Sequence, residues 1–188
     1  TEKAIGNLQR SLGGMTTALA GAAGAAGFGL MARNALQTAD ALGKTSQKLG
    51  VTANELFKFQ TQAELAGIST DTANMALQRF VRRTAEAAQG TGEAKNALIE
   101  LGVNAAEIQK LPLAERMKVL ADAFADVQSP ADRLRLAFKL FDSEGASMVN
   151  MLEGGREPLE ETERRMRRLG LEVDDTAIPA MEIGRAHV

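Results

Sequence analysis

Three groups of side chains in this sequence are of types that could do chemistry. They are a lone histidine, His187, a run of guanidinium groups at Arg164, Arg165, Arg167 and Arg168, and carboxylates set about one helical turn from Lys or Arg. Acid–base catalysis draws on histidine, or on carboxylates whose pKa is moved by apolar or paired surroundings. His187 belongs to Ile183-Gly184-Arg185-Ala186-His187-Val188, which matches the translation of a sequencing-adapter oligonucleotide. That hexapeptide, 183–188, is read as a scar and set aside. The carboxylates lie beside cations on helix faces, where ionised, solvated groups are expected. Ser and Thr stand mainly at helix starts, where capping explains them. There is no Gly-x-Ser-x-Gly elbow, phosphate loop or His-Glu-x-x-His pair. With no Cys, neither a disulfide nor a thiolate metal site can form. No enzyme activity, cofactor or metal is expected; a cell-wall hydrolase fragment is the enzymatic rival.

The arginine run is interleaved with Glu157, Glu160, Glu161 and Glu163. Glu160–Arg164, Glu161–Arg165 and Glu163–Arg167 are i,i+4 pairs in the better orientation, each worth about 0.2–0.5 kcal/mol on a helix. Acids first and bases last also suit the helix dipole. A solvated, ion-paired face is the expectation. Over the whole chain, 22 Lys and Arg face 24 Asp and Glu. That balance gives no electrostatic basis for tight binding to phosphates, and no aromatic stands near the arginines to stack on bases. No sequence-specific nucleic-acid partner is expected.

Helices must position these groups. Ala, Leu, Gln, Glu, Arg and Met are abundant, aromatics make up 4% of the chain, and no segment alternates with period two. The expected fold is all-α, with a long Gly/Ala-rich N-terminal helix (1–46), a compact multi-helix bundle (47–155) and a charged C-terminal helix (156–182). Thr52 with Glu55 makes a capping-box pattern and Gly67 closes that helix. Ser69 and Asp71 open the next, which runs toward Gly90. Asn104 with Glu107 starts a short turn, Pro112 reads as a first helical residue, and Ser129-Pro130 starts another helix. Leu113, Met117, Leu120, Phe124 and Val127 form one face; Leu134, Phe138 and Phe141 form a stripe. The expected core is Leu56, Phe59, Phe80, Leu120, Phe124, Phe138 and Phe141. Pro158 begins the charged helix, and Gly170 ends it.

Residues 11–32 carry no charge, and their middle is nearly all small. Each interior Gly costs a helix about 0.8–1 kcal/mol relative to Ala, so helicity there needs a partner or a membrane. As a helix, residues 14–32 would span roughly 28 Å, close to a bilayer's hydrocarbon thickness. Ala20, Gly21, Gly24, Ala25, Gly27 and Phe28 are the candidate helix-association or membrane surface, because small residues four apart let helices approach. A packed helix seam, a conditionally inserted membrane segment and a hinge all fit this composition. The first would extend to coiled-coil-like self-association. The second would make a membrane-active, pore-forming module, the main alternative in function.

A set of ordered phrases follows. It begins with Ala41-Leu42-Gly43-Lys44-Thr45-Ser46-Gln47-Lys48-Leu49-Gly50-Val51-Thr52-Ala53-Asn54-Glu55-Leu56. Next come Gln60 and Ala63-Glu64-Leu65-Ala66-Gly67-Ile68-Ser69. Leu98, Leu101-Gly102-Val103 and Leu111-Pro112-Leu113-Ala114-Glu115-Arg116 follow, then Leu136-Ala137-Phe138-Lys139-Leu140-Phe141-Asp142-Ser143-Glu144-Gly145-Ala146, before Leu152. Together, between Ala39 and Gly155, they resemble the phage tail tape measure proteins. Asp142 departs from the pattern, which often has Gly after Leu-Phe.

The resemblance implies a fragment of a long helical virion structural protein from a tailed phage or prophage. Such a chain occupies the tail lumen, limits tail length while tube subunits polymerise around it, and is expelled at infection to assist DNA passage. It implies tail tube protein, tail assembly chaperones and further copies of the chain as partners. It implies the virion tail, the host cytoplasm during assembly and contact with the host inner membrane as locations. It carries over no catalytic residue. Because Thr1 rather than Met stands first, further residues upstream are expected.

Overall fold

The structure, a computed structural model, describes residues 39–171, and these are all-α, without strands among the described residues. In chain order the helices are α1 (Ala39–Leu49), α2 (Ala53–Leu65), α3 (Thr70–Ala88), α4 (Glu93–Glu100) and α5 (Ala105–Ile108). They continue as α6 (Leu113–Ala125), α7 (Pro130–Phe141), α8 (Gly145–Leu152) and α9 (Arg156–Arg168), with a 3₁₀ turn at Asp142–Glu144 between α7 and α8. The expected long Gly/Ala-rich helix falls mostly outside the described residues.

Short connectors with defined chemistry set the helix ends. The Leu-Gly-Val phrase occurs twice and folds the same way both times. At Leu101-Gly102-Val103, Gly102 takes φ +69, its N–H donates to the Ile99 carbonyl (3.0 Å) and the Val103 N–H donates to the Leu98 carbonyl (2.8 Å). Gly50 takes φ +65 with the matching bonds to Gln47 (3.2 Å) and from Val51 to Ser46 (3.1 Å). This closure satisfies the last helical carbonyls and turns an apolar residue back onto the helix. In each case the next residue starts a helix. Thr52 accepts from the Glu55 N–H while Glu55 accepts from the Thr52 N–H, completing the expected capping box. Asn104 accepts from the N–H groups of Ala106 and Glu107. Ser69 and Ser129 cap α3 and α7 as expected.

Two starts differ from expectation. Pro112 is extended (φ −55, ψ 152) and precedes α6, whose first N–H, that of Leu113, donates 2.7 Å to Glu55 Oε1. Pro158 is the third residue of α9. That helix begins at Arg156, after Gly155 turns with φ +73 and Asp122 Oδ1 accepts from the Arg156 N–H (3.0 Å). Pro is tolerated there because N–H groups in a helix's first turn have no helical partner.

The core is built around α3 and the short, apolar α8. Helix α8 touches α2, α3, α6 and α7, and α3 packs on α1, α2, α4, α5, α7 and α8. Leu56, Phe59, Phe80, Leu120, Phe124 and Phe141 are fully or almost fully buried, and Phe80 stacks on Phe141 with ring centroids 5.4 Å apart. Phe138, expected in that set, is 42% exposed and Leu134 is 41% exposed. The face α7 buries is Leu136, Ala137, Leu140 and Phe141. The backbone of Gly145 decides this rotation. A Cβ there would lie 2.6 Å from both Ala137 C and Phe138 N, so α8 begins directly on the α7 backbone at those residues. That approach holds the Ala137 side of α7 inward.

The corner between α7 and α8 is strained. Asp142 has φ +58 and ψ −135, the only positive φ outside glycine among the described residues. Its carboxylate lies 2.8 Å from Arg79 Nη1 and 3.2 Å from Arg83 Nη2. A non-Gly residue in such a region costs on the order of 1–3 kcal/mol. Each half-exposed ion pair returns about 0–1 kcal/mol, and both arginines keep other partners. Asp142→Gly is therefore expected to raise stability by about 1 kcal/mol. Asp142→Ala, which keeps the strain and loses the carboxylate, should lower it by about the same amount. Urea denaturation of the two variants checks the opposite signs.

Candidate functional site

The surface expected at Ala20, Gly21, Gly24, Ala25, Gly27 and Phe28 lies outside the described residues. Within 39–171, the groupings that could carry function are a buried charged contact under α9, an ion network at the α7–α8 corner, and two shallow surface grooves.

Helix α9 buries Leu159, Met166 and, between them, Glu163. Glu163 Oε2 accepts from Lys118 Nζ at 3.0 Å, and Lys118 also donates to Glu115 Oε1 at 2.9 Å. Lys118 and Glu163 are each 7% exposed, and Glu163 Oε1 is buried without a hydrogen-bond partner. Burial pushes the Lys118 ammonium down, but the hydrogen bonds to Glu115 and Glu163 outweigh it and leave its pKa above the ordinary lysine value. The charged helix is therefore not solvated all round. Arg167 Nη1 does reach Glu163 Oε2, but at 4.0 Å, while the carboxylate points into the bundle. Of the outward pairs, the expected Glu160–Arg164 forms at 3.6 Å, while Glu161 meets Arg164 (3.1 Å) and Arg168 (3.2 Å), and Glu157 meets Arg164 at 2.8 Å.

At the start of α9, Asp122 receives the Arg156 side chain at Nε (2.6 Å) as well as its backbone N–H. The Arg156 side chain, more than its charge at a distance, holds the Asp122 carboxyl below the usual aspartate range. On α2, Gln62 Nε2 donates to the Leu159 carbonyl at 3.3 Å.

At the corner, Arg79 Nη1 donates to Ser143 Oγ (2.8 Å), and Arg79 Nε lies 3.0 Å from Glu144 Oε2. Arg83 Nη1 donates to the carbonyls of Phe138 (3.1 Å) and Lys139 (2.7 Å) at the end of α7, the first of which also accepts from the Asp142 N–H. One groove lies between α4 and α7, lined by Glu93, Ala97, Glu100, Arg135 and Lys139, with Arg135 paired to Glu100 across it. The other lies between α1 and α3, lined by Lys48, Leu49, Met75, Arg79, Val81 and Arg82, with Asp142 at its edge.

The contacts these groups make tie helices and turns to one another. Buried or partly buried hydroxyls donate to their own helices: Thr61 to Phe57, Thr84 to Phe80, Ser46 to Gly43. Carboxylates meet guanidinium or ammonium groups. Among the described residues no group of three or more His, Cys, Asp or Glu is placed to hold a metal, and no helix is long and apolar enough to cross a membrane.

Sequence reasoning missed the Lys118–Glu163 contact, although its signal was present. Glu163 stands in the stripe Leu159, Glu163, Met166. Lys118 stands in Ala114, Lys118, Ala121, Ala125, a row of small residues beside the main apolar face of α6, which leaves room for another helix. The second role of Glu55, bridging to Leu113 58 residues away, had no local signal.

No family model, curated protein or solved structure was found to match the chain.

Proposed function

We propose that this chain is part of a phage tail tape measure protein, acting through length and helix packing. One observation carries the reading: the phrases between Ala39 and Gly155 occur in the order that family uses, in a chain built for helices. The position of both Leu-Gly-Val phrases at a helix closure followed at once by a new cap is in keeping with it. So is the departure at Asp142, where the backbone adopts a conformation that glycine would favour. A ruler role suits an α-helix because its rise per residue is fixed.

In this reading the polypeptide lies in the lumen of the growing tail with other copies of itself. Tail chaperones and then tube subunits assemble around it, and it leaves ahead of the DNA at infection. The Gly/Ala segment around residues 21–28 is its helix-association surface, or its contact with the host membrane. Its work requires no bound cofactor.

The test is in-frame deletion in the parent gene. Removing about 100 residues of continuous helix is expected to shorten tails by about 150 Å in electron micrographs, at about 1.5 Å per residue. Tails of unchanged length would overturn the proposal, as would a parent gene with no tail tube gene among its neighbours.

A further inference from the structure

We infer that α9 is a releasable strap, hinged at Gly154 and Gly155, that leaves the bundle as one unit while α2–α8 stay folded. Of its 13 residues α9 buries Leu159, Glu163 and Met166, and the middle one of these is a carboxylate. Taking Glu163 and Lys118 out of water costs about as much as their attraction contributes, so the pair fixes where α9 sits without gripping it strongly. Glu163 Oε1 is left buried without a hydrogen-bond partner. On release that oxygen regains water, and Lys118 keeps Glu115 at 2.9 Å. The grip that remains is Leu159, Met166 and Leu171, the half-exposed Arg156–Asp122 pair, and a long hydrogen bond (3.3 Å) from Gln62 to the Leu159 carbonyl.

The rest of the bundle does not depend on that grip. Helix α9 packs mainly on α6 and α2, whereas α8 is covered by α2, α3, α6 and α7, and α3 by α1, α2, α4, α5, α7 and α8. The surface under α9 includes Lys118, Asp122 and Gln62, groups that water solvates well. Within α9, Arg164 pairs with Glu157, Glu160 and Glu161, and Arg168 pairs with Glu161, contacts that release leaves intact. Two adjacent glycines make a permissive joint, and Gly155 already stands at φ +73. An element held by few buried apolar side chains opens at a lower free energy than the core. The strap exists whether or not the chain belongs to a phage tail.

The experiment is amide hydrogen exchange of the full, unsubstituted chain, resolved by residue and repeated at increasing urea below the unfolding transition. An isolated helix of this length is marginal in water, so a released α9 loses its amide protection. The helical amides of α9 are expected to exchange at one common rate, on the order of a hundredfold faster than those of α3. Their rate should rise weakly with urea because little surface opens, while that of α3 rises with the slope of global unfolding. The chain has no Cys, so Met166→Cys and Leu77→Cys each carry a single thiol. The thiol at 166 should react with a disulfide reagent faster than the one at 77, by a similar factor. A difference under about tenfold between α9 and α3, or one urea slope for both, would overturn the inference. So would protection that declines steadily from Leu159 to Arg168, which is fraying from the end rather than release of a unit.

Discussion

Gly145→Ala is expected to lower the stability of this chain by about 3 kcal/mol or more, near the upper end of what overpacking costs. The methyl group would be placed 2.6 Å from Ala137 C and Phe138 N and 2.8 Å from Ala137 O. All three are backbone atoms, so no side chain can swing aside. Helices α7 and α8 must separate by the better part of an ångström. That opens the contacts of Met148, Met151 and Leu152 with the rest of the core, where dispersion falls steeply with distance. For a chain of this size, about 3 kcal/mol moves the melting midpoint by roughly 6–12 °C. Gly102→Ala is the control. It has open space where a Cβ would go and loses only through its positive φ, about 1 kcal/mol. Thermal unfolding of both variants, followed by circular dichroism, decides. Equal shifts would mean that the close approach of the two helices does not matter.

The second large effect concerns the charges under α9. Lys118→Ala should cost about 3 kcal/mol, because it leaves the Glu163 carboxylate buried with only Arg167 at 4.0 Å. Glu163→Ala should cost less, about 2 kcal/mol, since Lys118 keeps Glu115. Replacing both, Lys118→Met with Glu163→Leu, is expected to be neutral or stabilising, because two desolvated ions and one unpartnered oxygen give way to apolar contact. Urea denaturation of the singles Lys118→Met and Glu163→Leu and of the double measures the coupling, since the cycle needs the same replacements throughout. If the double loses as much as the sum of the singles, the two residues are not coupled, and the singles do not lose stability by leaving a buried charge unpaired.

Helices α2, α3, α5, α6, α7 and α9, their order and most of their ends were legible in the sequence because they rest on local chemistry. In the sequence α1 reads as part of a longer helix, and α4 and α8 do not stand out. Thr52 and Glu55, Ser69, Asn104, and the glycines at 67, 90 and 170 act through atoms only a few residues apart. The side of a helix that turns inward is a different kind of fact. The sequence offered Leu134, Phe138 and Phe141 as a stripe for α7, and that stripe is consistent with helical spacing. A glycine in the next helix settled the matter through backbone contact, and no periodicity within α7 could announce it. The buried lysine and glutamate left only a faint mark, a carboxylate within the stripe of α9 and a row of small residues on α6, for a related reason. Each looked solvated in its own helix and becomes buried only when α6 and α9 meet, 45 residues apart in the chain. The candidate association surface at residues 20–28 lies outside the described residues.

The tight closures at Gly50, Gly67, Gly90 and Gly102 fold the polypeptide back on itself about every twelve to twenty-three residues, and so they fix how much contour the chain takes up. About 130 residues drawn into one continuous helix would reach about 200 Å. A compact unit of that size has a radius of gyration near ~14 Å. One sequence thus has two lengths, and opening the closures would release slack several times the unit's own diameter. Any machine that pulls on either end would read the short length while the bundle holds and the long one once it yields.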